Sequence, residues 1–124
     1  MAGTIAADTL THSTAGSLTT DYVVKGSAKQ FLSFHATNNV TNISLNVASV
    51  TDNGTGDFTP SYTNNFNASE PVVQLSADLA SSANPGKYVY ARGTSSHRVY
   101  PYRSTGGVMT QGFYIATTAF GDLA

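Results

Sequence analysis

Short alternations of apolar and polar residues run through most of the chain. In NISLNVASV, Ile43, Leu45 and Val47 alternate with small or polar residues, which is the period-two pattern of a half-buried strand. Val50 breaks this alternation, so the pattern predicts a β-bulge near Ala48–Ser49. Further short runs rich in β-branched and aromatic residues follow at intervals of roughly 8–12 residues, separated by Asn, Gly, Pro and Ser clusters. These runs include DYVVK, QFLSFHA, DFTPSY, VVQL, KYVYAR, RVYPYR and VMTQGFYIATTAF.

This spacing predicts an all-β fold, and we expect an antiparallel, jelly-roll-like β-sandwich of about seven to nine strands. Residues 1–25 are small and polar with isolated aliphatic residues, so we predict an extended N-terminal arm there and no helix. The sandwich domain is then expected over residues 26–124. A helical turn is expected only within residues 76–87, and Pro85–Gly86 is predicted to end it as a turn.

The segment SVTDNGTGDFT, residues 49–59, carries two acids in a chain that is otherwise poor in charge. A regular EF-hand loop is excluded because glycines occupy its ligand positions, while an irregular calcium site stays open. Two catalytic carboxylates would have to lie across a cleft, which acids on one loop rarely do. Asn-Gly is a strong hairpin signal, and the first Asp can cap the turn with its own side chain. We therefore predict a structural turn formed by Asp52, Asn53, Gly54, Gly56 and Asp57.

Tyrosines and basic residues interleave in KYVYARGTSSHRVYPYR, residues 87–103. If the two halves pair as a hairpin over GTSSH, the tyrosines can share one face. Tyrosine and arginine are enriched on binding surfaces, and arginine also pairs with acidic glycan or phosphate groups. Recognition of a ligand and packing against a neighbouring subunit are both open interpretations. The candidate surface comprises Tyr88, Tyr90, Arg92, His97, Arg98, Tyr100, Tyr102 and Arg103.

Composition and motif spacing limit the classes of function that we expect for this chain. Only 10% of the 124 residues are charged and the net charge is −1, so we expect no nucleic-acid partner. No apolar run approaches the roughly 20 residues of a spanning helix, so no membrane insertion is expected. Without cysteine the chain has no disulfides, and oligomerisation is a standard alternative source of stability. His12, His35 and His97 have no metal-ligand spacing, and no Gly-x-Ser-x-Gly elbow occurs. We therefore predict no enzyme, no metal and no cofactor.

Two segments carry a resemblance to a known family. NVASVTDNGTGDFTPSYT (46–63) and GSAKQFLSF (26–34) resemble a pattern found in tailed-bacteriophage virion proteins of the tail fibre type. Phe31 stands where that family has tryptophan, and Pro60 where it usually has an aliphatic residue. The resemblance covers roughly a third of the chain. It implies a trimeric, all-β virion surface protein, and it carries over no catalytic residue.

On this basis we expect a bacteriophage virion structural protein, a trimeric tail or head fibre appendage that contributes to host attachment. The expected partners are sister chains, other virion proteins held through the N-terminal arm, and a host-surface glycan or protein. The N-terminus has no secretory signal pattern, so we expect synthesis in the host cytoplasm and a location on the virion. A capsid cement (decoration) protein and a stand-alone carbohydrate-binding module are the alternatives.

Overall fold

The computed structural model describes residues 3, 6–36, 40–54, 56–77, 85–103 and 114–124. Within these ranges the chain forms ten strands and one short helix. The strands are β1 (Thr9–His12), β2 (Gly16–Thr19), β3 (Gln30–His35), β4 (Val40–Leu45), β5 (Ser49–Gly54), β6 (Asp57–Ser61), β7 (Val72–Ala77), β8 (Pro85–Arg92), β9 (His97–Arg103) and β10 (Tyr114–Phe120). The helix is α1 (Thr20–Gly26).

Eight of the described strands form two four-stranded sheets, in the orders β4-β3-β10-β7 and β5-β6-β9-β8. All strand pairs are antiparallel, and β1 and β2 form a separate hairpin. Strands β3 and β10, the first and last of the eight, lie side by side in the middle of one sheet. The all-β sandwich predicted from the alternating pattern is therefore confirmed.

The core lies between the two sheets. On β3, Leu32 and Phe34 are buried while the residues between them are half-buried, as the period-two pattern predicts. Phe34 meets Phe58 of the opposite sheet edge to face, with ring centroids 5.1 Å apart. Val99 and Ile115 complete this cluster. Each such buried side chain contributes about 1.5–3 kcal/mol relative to exposure, so the sandwich has a core of its own.

The predicted bulge near Ala48–Ser49 is wrong, because NISLNVASV is not one strand. Strand β4 ends at Leu45, and Asn46 adopts a positive φ of 55°. β5 then begins at Ser49 in the other sheet. The break in alternation at Val50 thus reflects a change of sheet, which resets the face that points to the core.

The predicted turn at Pro85–Gly86 is also wrong. These two residues begin β8 and pair with Arg103 and Tyr102 of β9. Proline is tolerated there because it is the first residue of an edge strand, where a ladder donor is least needed. The helical turn expected within residues 76–87 falls largely on residues 78–84, which lie outside the described residues.

Residues 9–26, here named the N-terminal unit, form a hairpin followed by α1 and not the extended, helix-free arm that the sequence predicts. Leu10 pairs with Leu18 across the hairpin. Asp21 in the first turn of α1 and Lys25 in its last turn form an ion pair of 2.9 Å, which also complements the helix dipole. The short strand predicted at DYVVK is therefore wrong, because these residues lie in α1. The helix spans only seven residues and none of them is buried, so it leaves no helical period in the sequence. No helix within the described ranges has the length and apolar character that crossing a membrane requires.

Candidate functional site

The β8–β9 hairpin presents tyrosines on the outer face of its sheet. Val89 pairs with Val99, which is fully buried and marks the inner face. Tyr88 pairs with Tyr100 one position along, so both side chains lie on the opposite, outer face. Tyr88 is about half exposed, at 51%, while Tyr100 is half-buried. The hairpin and shared face expected from the sequence therefore exist for these two tyrosines.

A β-bulge sets the position of Tyr90. The register of β8 and β9 shifts between Val89 and Ala91, so Tyr90 is the extra residue and Ala91 pairs with Arg98. Bulges bend a strand and redirect its side chains, and they are common beside functional sites. Here the ring centroid of Tyr90 lies 5.4 Å from the guanidinium carbon of Arg98, which is cation–π distance. Tyr90 is nevertheless 74% exposed.

Asp57 enters the same face from β6. Phe58 pairs with Val99 on the inner side, so Asp57, one residue earlier, points outward. Arg98 Nε donates a hydrogen bond of 2.7 Å to Asp57 Oδ1, and Arg98 Nη2 donates to Oδ2. The pair is thus bidentate, the strongest geometry for an arginine and a carboxylate. The Asp57 side chain is 14% exposed and that of Arg98 42%.

Both members of this pair are held in their charged forms. The hydrogen bond from Arg98 lowers the pKa of Asp57, and a hydrogen bond from Asn53 lowers it further, while burial acts in the opposite direction. The same contact raises the pKa of Arg98. The carboxylate and the guanidinium therefore stay ionised at neutral pH and cancel each other's charge.

These residues line a pocket of about 220 Å³, here named the tyrosine pocket. Among the described lining residues, three tyrosines supply phenol rings and hydroxyl groups, and the charged groups are one carboxylate and one guanidinium in fixed mutual orientation. Such a combination of apolar wall and few oriented polar groups is typical of small-ligand sites. The lining residues are Asp57, Tyr88, Tyr90, Arg98 and Tyr100.

Four of the predicted surface residues, Tyr88, Tyr90, Arg98 and Tyr100, meet in this pocket. Arg92 is exposed near the tip of the hairpin, where it pairs with His97 and does not line the pocket. The side chains of Tyr102 and Arg103 lie outside what the structure describes.

The prediction that His97 belongs to this surface is wrong. His97 is 1% exposed and points inward from β9, where its Nδ1 hydrogen-bonds the hydroxyl of Tyr62 at 2.8 Å. Its Nε2 is buried without a hydrogen-bond partner among the described residues. Burial lowers the pKa of His97 to about 4, and burial raises the pKa of Tyr62. His97 lies next to Arg98 in sequence, and strand alternation places the two on opposite faces.

The predicted turn at residues 52–57 is a hairpin between β5 and β6. Asp52 Oδ1 accepts a 2.9 Å hydrogen bond from the backbone N–H of Gly54, as an Asx turn requires. Gly54 and Gly56 have φ values of 130° and 74°, which glycine adopts at low cost. Asn53 Nδ2 donates to Asp57 Oδ1 at 3.3 Å and so connects the turn to the pocket.

Sequence reasoning assigned Asp57 only to the turn and missed its place in the pocket. Its partner Arg98 is 41 residues away, and only the register of β6 beside β9 brings them together. An available hint was that the 87–103 segment holds four basic residues and no acid. The irregular calcium site left open by the sequence would use Asp57 as a ligand. Arg98 engages both carboxylate oxygens of Asp57, and no group of three metal-binding side chains occurs in the described part of the chain, so neither observation favours that site.

Fold and site together define a β-sandwich with a tyrosine-rich pocket on the outer face of one sheet. Comparison with known proteins adds no relative: no family model matches the chain, and no curated protein or solved structure matches it.

Proposed function

We propose that the chain is a bacteriophage virion structural protein, a homotrimeric surface appendage of the tail or head fibre type that contributes to host attachment. The observation that carries the proposal is the apolar exposure of the N-terminal unit. Leu10 and Leu18 are 46% and 44% exposed, and Tyr22 on α1 is 69% exposed. No residue of α1 is buried.

A region of this kind needs a partner to stay folded. An isolated two-stranded hairpin is marginally stable at best in water, and a helix of seven residues is far below the length that is stable alone. Its exposed aliphatic side chains would gain burial against sister chains or another virion protein. A subunit of an appendage needs one region that folds by itself and one that holds it in the assembly. In this proposal the sandwich is the first and the N-terminal unit is the second.

The tyrosine pocket supplies the outward function in this proposal. Three copies on one trimer would bind a repetitive host surface with avidity, so each pocket can be weak. The proposal includes no catalysis, because Asp57 is the one carboxylate among the described residues lining the pocket and it is paired with Arg98. The resemblance of residues 46–63 to phage tail fibre proteins supports the virion assignment.

Imaging of intact particles labelled with an antibody to the chain tests the proposal. We expect signal on the tail or on protruding fibres. Signal spread over the head would support the capsid cement alternative, in which the N-terminal unit crosses neighbouring shell subunits. Absence of signal from all particles would overturn the virion assignment.

The oligomeric mass in solution tests the role of the N-terminal unit. We expect light scattering to give three times the chain mass for the wild type, and a smaller mass for Leu10→Ser/Leu18→Ser. Val72→Ser is the matched control, because Val72 is 59% exposed but lies on β7 of the sandwich. A monomeric wild type that binds sugar would favour the carbohydrate-binding module. Loss of the trimer only in the control variant would place the interface on the sandwich.

A further inference from the structure

We infer that the tyrosine pocket binds an uncharged pyranose ring of a glycan. This inference rests on the proposed role in attachment and names the ligand class. Its starting point is the charge balance of the pocket. The basic residues of the 87–103 segment suggest an acidic ligand, but the cation that lines the pocket, Arg98, already forms a bidentate pair with Asp57. An anion would have to compete with this internal carboxylate, whereas a neutral ligand would not.

The hydrogen-bonding capacity that remains suits hydroxyl groups. A carboxylate has about four lone-pair sites, and Asp57 uses two for Arg98 and one for Asn53. The guanidinium has five N–H donors. Arg98 uses Nε and Nη2 for Asp57, and its side chain is 42% exposed, so further N–H groups can reach a ligand. The pocket thus holds an acceptor next to several donors. Neighbouring sugar hydroxyls, each of which both donates and accepts, match that arrangement.

The walls suit the flat, C–H-rich face of a sugar ring. Tyr88 and Tyr90 are 51% and 74% exposed, so both residues are accessible to a ligand. Tyr88 and Tyr100 are direct cross-strand neighbours, and the bulge sets Tyr90 beside Arg98. Rings fixed on strands lose little entropy on binding, which favours aromatic side chains as ligand platforms.

The size of the pocket limits the ligand to about one ring. Its volume of 220 Å³ is below the roughly 300–1,000 Å³ of sites for drug-sized molecules. A longer glycan would therefore place one residue in the pocket. A single ring in a shallow site predicts weak binding per subunit, which agrees with an appendage that relies on multivalency.

Saturation-transfer NMR on the full chain tests the inference with two matched probes, methyl α-D-glucopyranoside and its C6 carboxylate analogue, methyl α-D-glucuronide. The methyl glycosides of galactose and N-acetylglucosamine extend the neutral set. We expect transfer from the protein to the ring C–H protons of at least one neutral glycoside, and weaker transfer to the glucuronide. Stronger transfer to the glucuronide, or no transfer to any neutral glycoside at millimolar concentration, would overturn the inference.

Two variants separate the pocket from the rest of the surface. Tyr90→Ala is expected to weaken binding of the neutral glycoside about tenfold, the usual effect of losing one stacking ring, while Tyr90→Phe retains it. Tyr114→Ala is the control, because Tyr114 is also exposed, at 49%, but lies on β10 of the other sheet. Equal loss in Tyr90→Ala and Tyr114→Ala would overturn the assignment of the pocket.

Asp57→Asn tests the charge argument directly. This change leaves Arg98 without its carboxylate, so the variant is expected to reverse the preference and favour the glucuronide. A structural role for the ion pair alone would not change which probe binds. An unchanged preference in a folded variant would overturn the inference. If the chain is a trimer that binds no sugar, the proposed structural role stands and the inference about the pocket fails. If the chain is a monomer that binds sugar, the trimeric appendage is contradicted and the inference about the pocket stands.

Discussion

The sandwich and the N-terminal unit differ in how far each can stabilise itself. In the sandwich, Leu32, Phe34 and Ile115 of one sheet pack against Phe58 and Val99 of the other, and each is at most 2% exposed. In the N-terminal unit, every residue of β2 is exposed and none of α1 is buried. One chain thus combines a region that provides its own core with a region whose apolar groups are exposed. We therefore expect the sandwich to determine folding of the chain and the N-terminal unit to determine association.

The cause is the number of layers in each region. A sheet buries one face only if a second layer covers it, and the sandwich provides two such layers. The hairpin of β1 and β2 has no second sheet, and α1 carries Val23 and Val24 at 43% and 51% exposure. Destabilising changes in the sandwich should therefore act within the single chain, whereas changes in the N-terminal unit should act on association.

The largest effect is expected at Phe34. Phe34→Ala removes a fully buried ring and its edge-to-face contact with Phe58, which should lower the free energy of unfolding by about 3–5 kcal/mol. Urea unfolding followed by circular dichroism measures this loss. Phe31→Ala is the control, since Phe31 lies on the same strand but is only half-buried. A loss at Phe31 as large as that at Phe34 would contradict the placement of the core.

Acid is expected to destabilise the sandwich through His97. Its pKa is about 4 in the folded chain and 6.5 when exposed, so between these values the unfolded chain binds more protons. Stability from this group is full above pH 6.5, falls as the pH drops toward 4, and changes no further below. The 2.5-unit difference corresponds to about 3 kcal/mol. The Asp57–Arg98 pair adds stability that is present at neutral pH and is lost only at more acidic pH, because the hydrogen bond from Arg98 lowers the pKa of Asp57.

Urea unfolding at pH 7.5, 6.5, 5.5 and 4.5 measures this slope. His97→Gln is expected to be less stable at pH 7.5 because the contact with the Tyr62 hydroxyl changes, but its stability should vary less over this range. Phe31→Ala, which changes no titratable group on β3, should keep the wild-type slope. An equal slope in the wild type and His97→Gln would contradict the assignment.

The sequence predicted those parts of the fold that depend on local alternation. QFLSFHA shows period two and forms β3 with the expected face buried. The prediction of one bulged strand for NISLNVASV was wrong, because two strands from different sheets follow each other there without a strong turn signal. Asn46, with its positive φ, marks the change of sheet. The helix at Thr20–Gly26 was not predicted, because its β-branched residues favour strands and the ion pair between its first and last turns is a weak sequence signal.

The site was predictable only along one hairpin. Tyrosines at every second position of KYVYAR and RVYPYR predict a shared face, and strand pairing confirms it for Tyr88 and Tyr100, while a bulge sets the position of Tyr90. Asp57 was not predictable, because its approach to Arg98 depends on which strand borders β9. The same is true of His97, whose burial against Tyr62 depends on contacts between segments 35 residues apart. Non-local pairing is the information that the alternation pattern lacks.

Glycine substitutions should give a smaller, graded effect across the two regions. Gly121 has a φ of 152°, and an added Cβ would lie 3.0 Å from Phe66 Cδ1. Gly121→Ala should therefore lower the free energy of unfolding by about 1–3 kcal/mol. Gly54→Ala has the backbone strain without the contact, since its φ is 130° and nothing lies within 4 Å, so its loss should be smaller. Gly26→Ala, at the end of α1, has neither and should be nearly neutral in urea unfolding.

The smallest effect on the single chain is expected from Leu10→Ser/Leu18→Ser, because both side chains are exposed and belong to neither core cluster of the described residues. At low protein concentration its free energy of unfolding should match the wild type within about 0.5 kcal/mol. At high concentration the wild type should gain stability by association, while the variant should not. Melting curves over a hundredfold dilution measure both statements. A wild-type melting temperature independent of concentration would contradict association through the N-terminal unit. A variant that is already destabilised when dilute would show that the N-terminal unit belongs to the same cooperative core as the sandwich, and the distinction between the two regions would be lost.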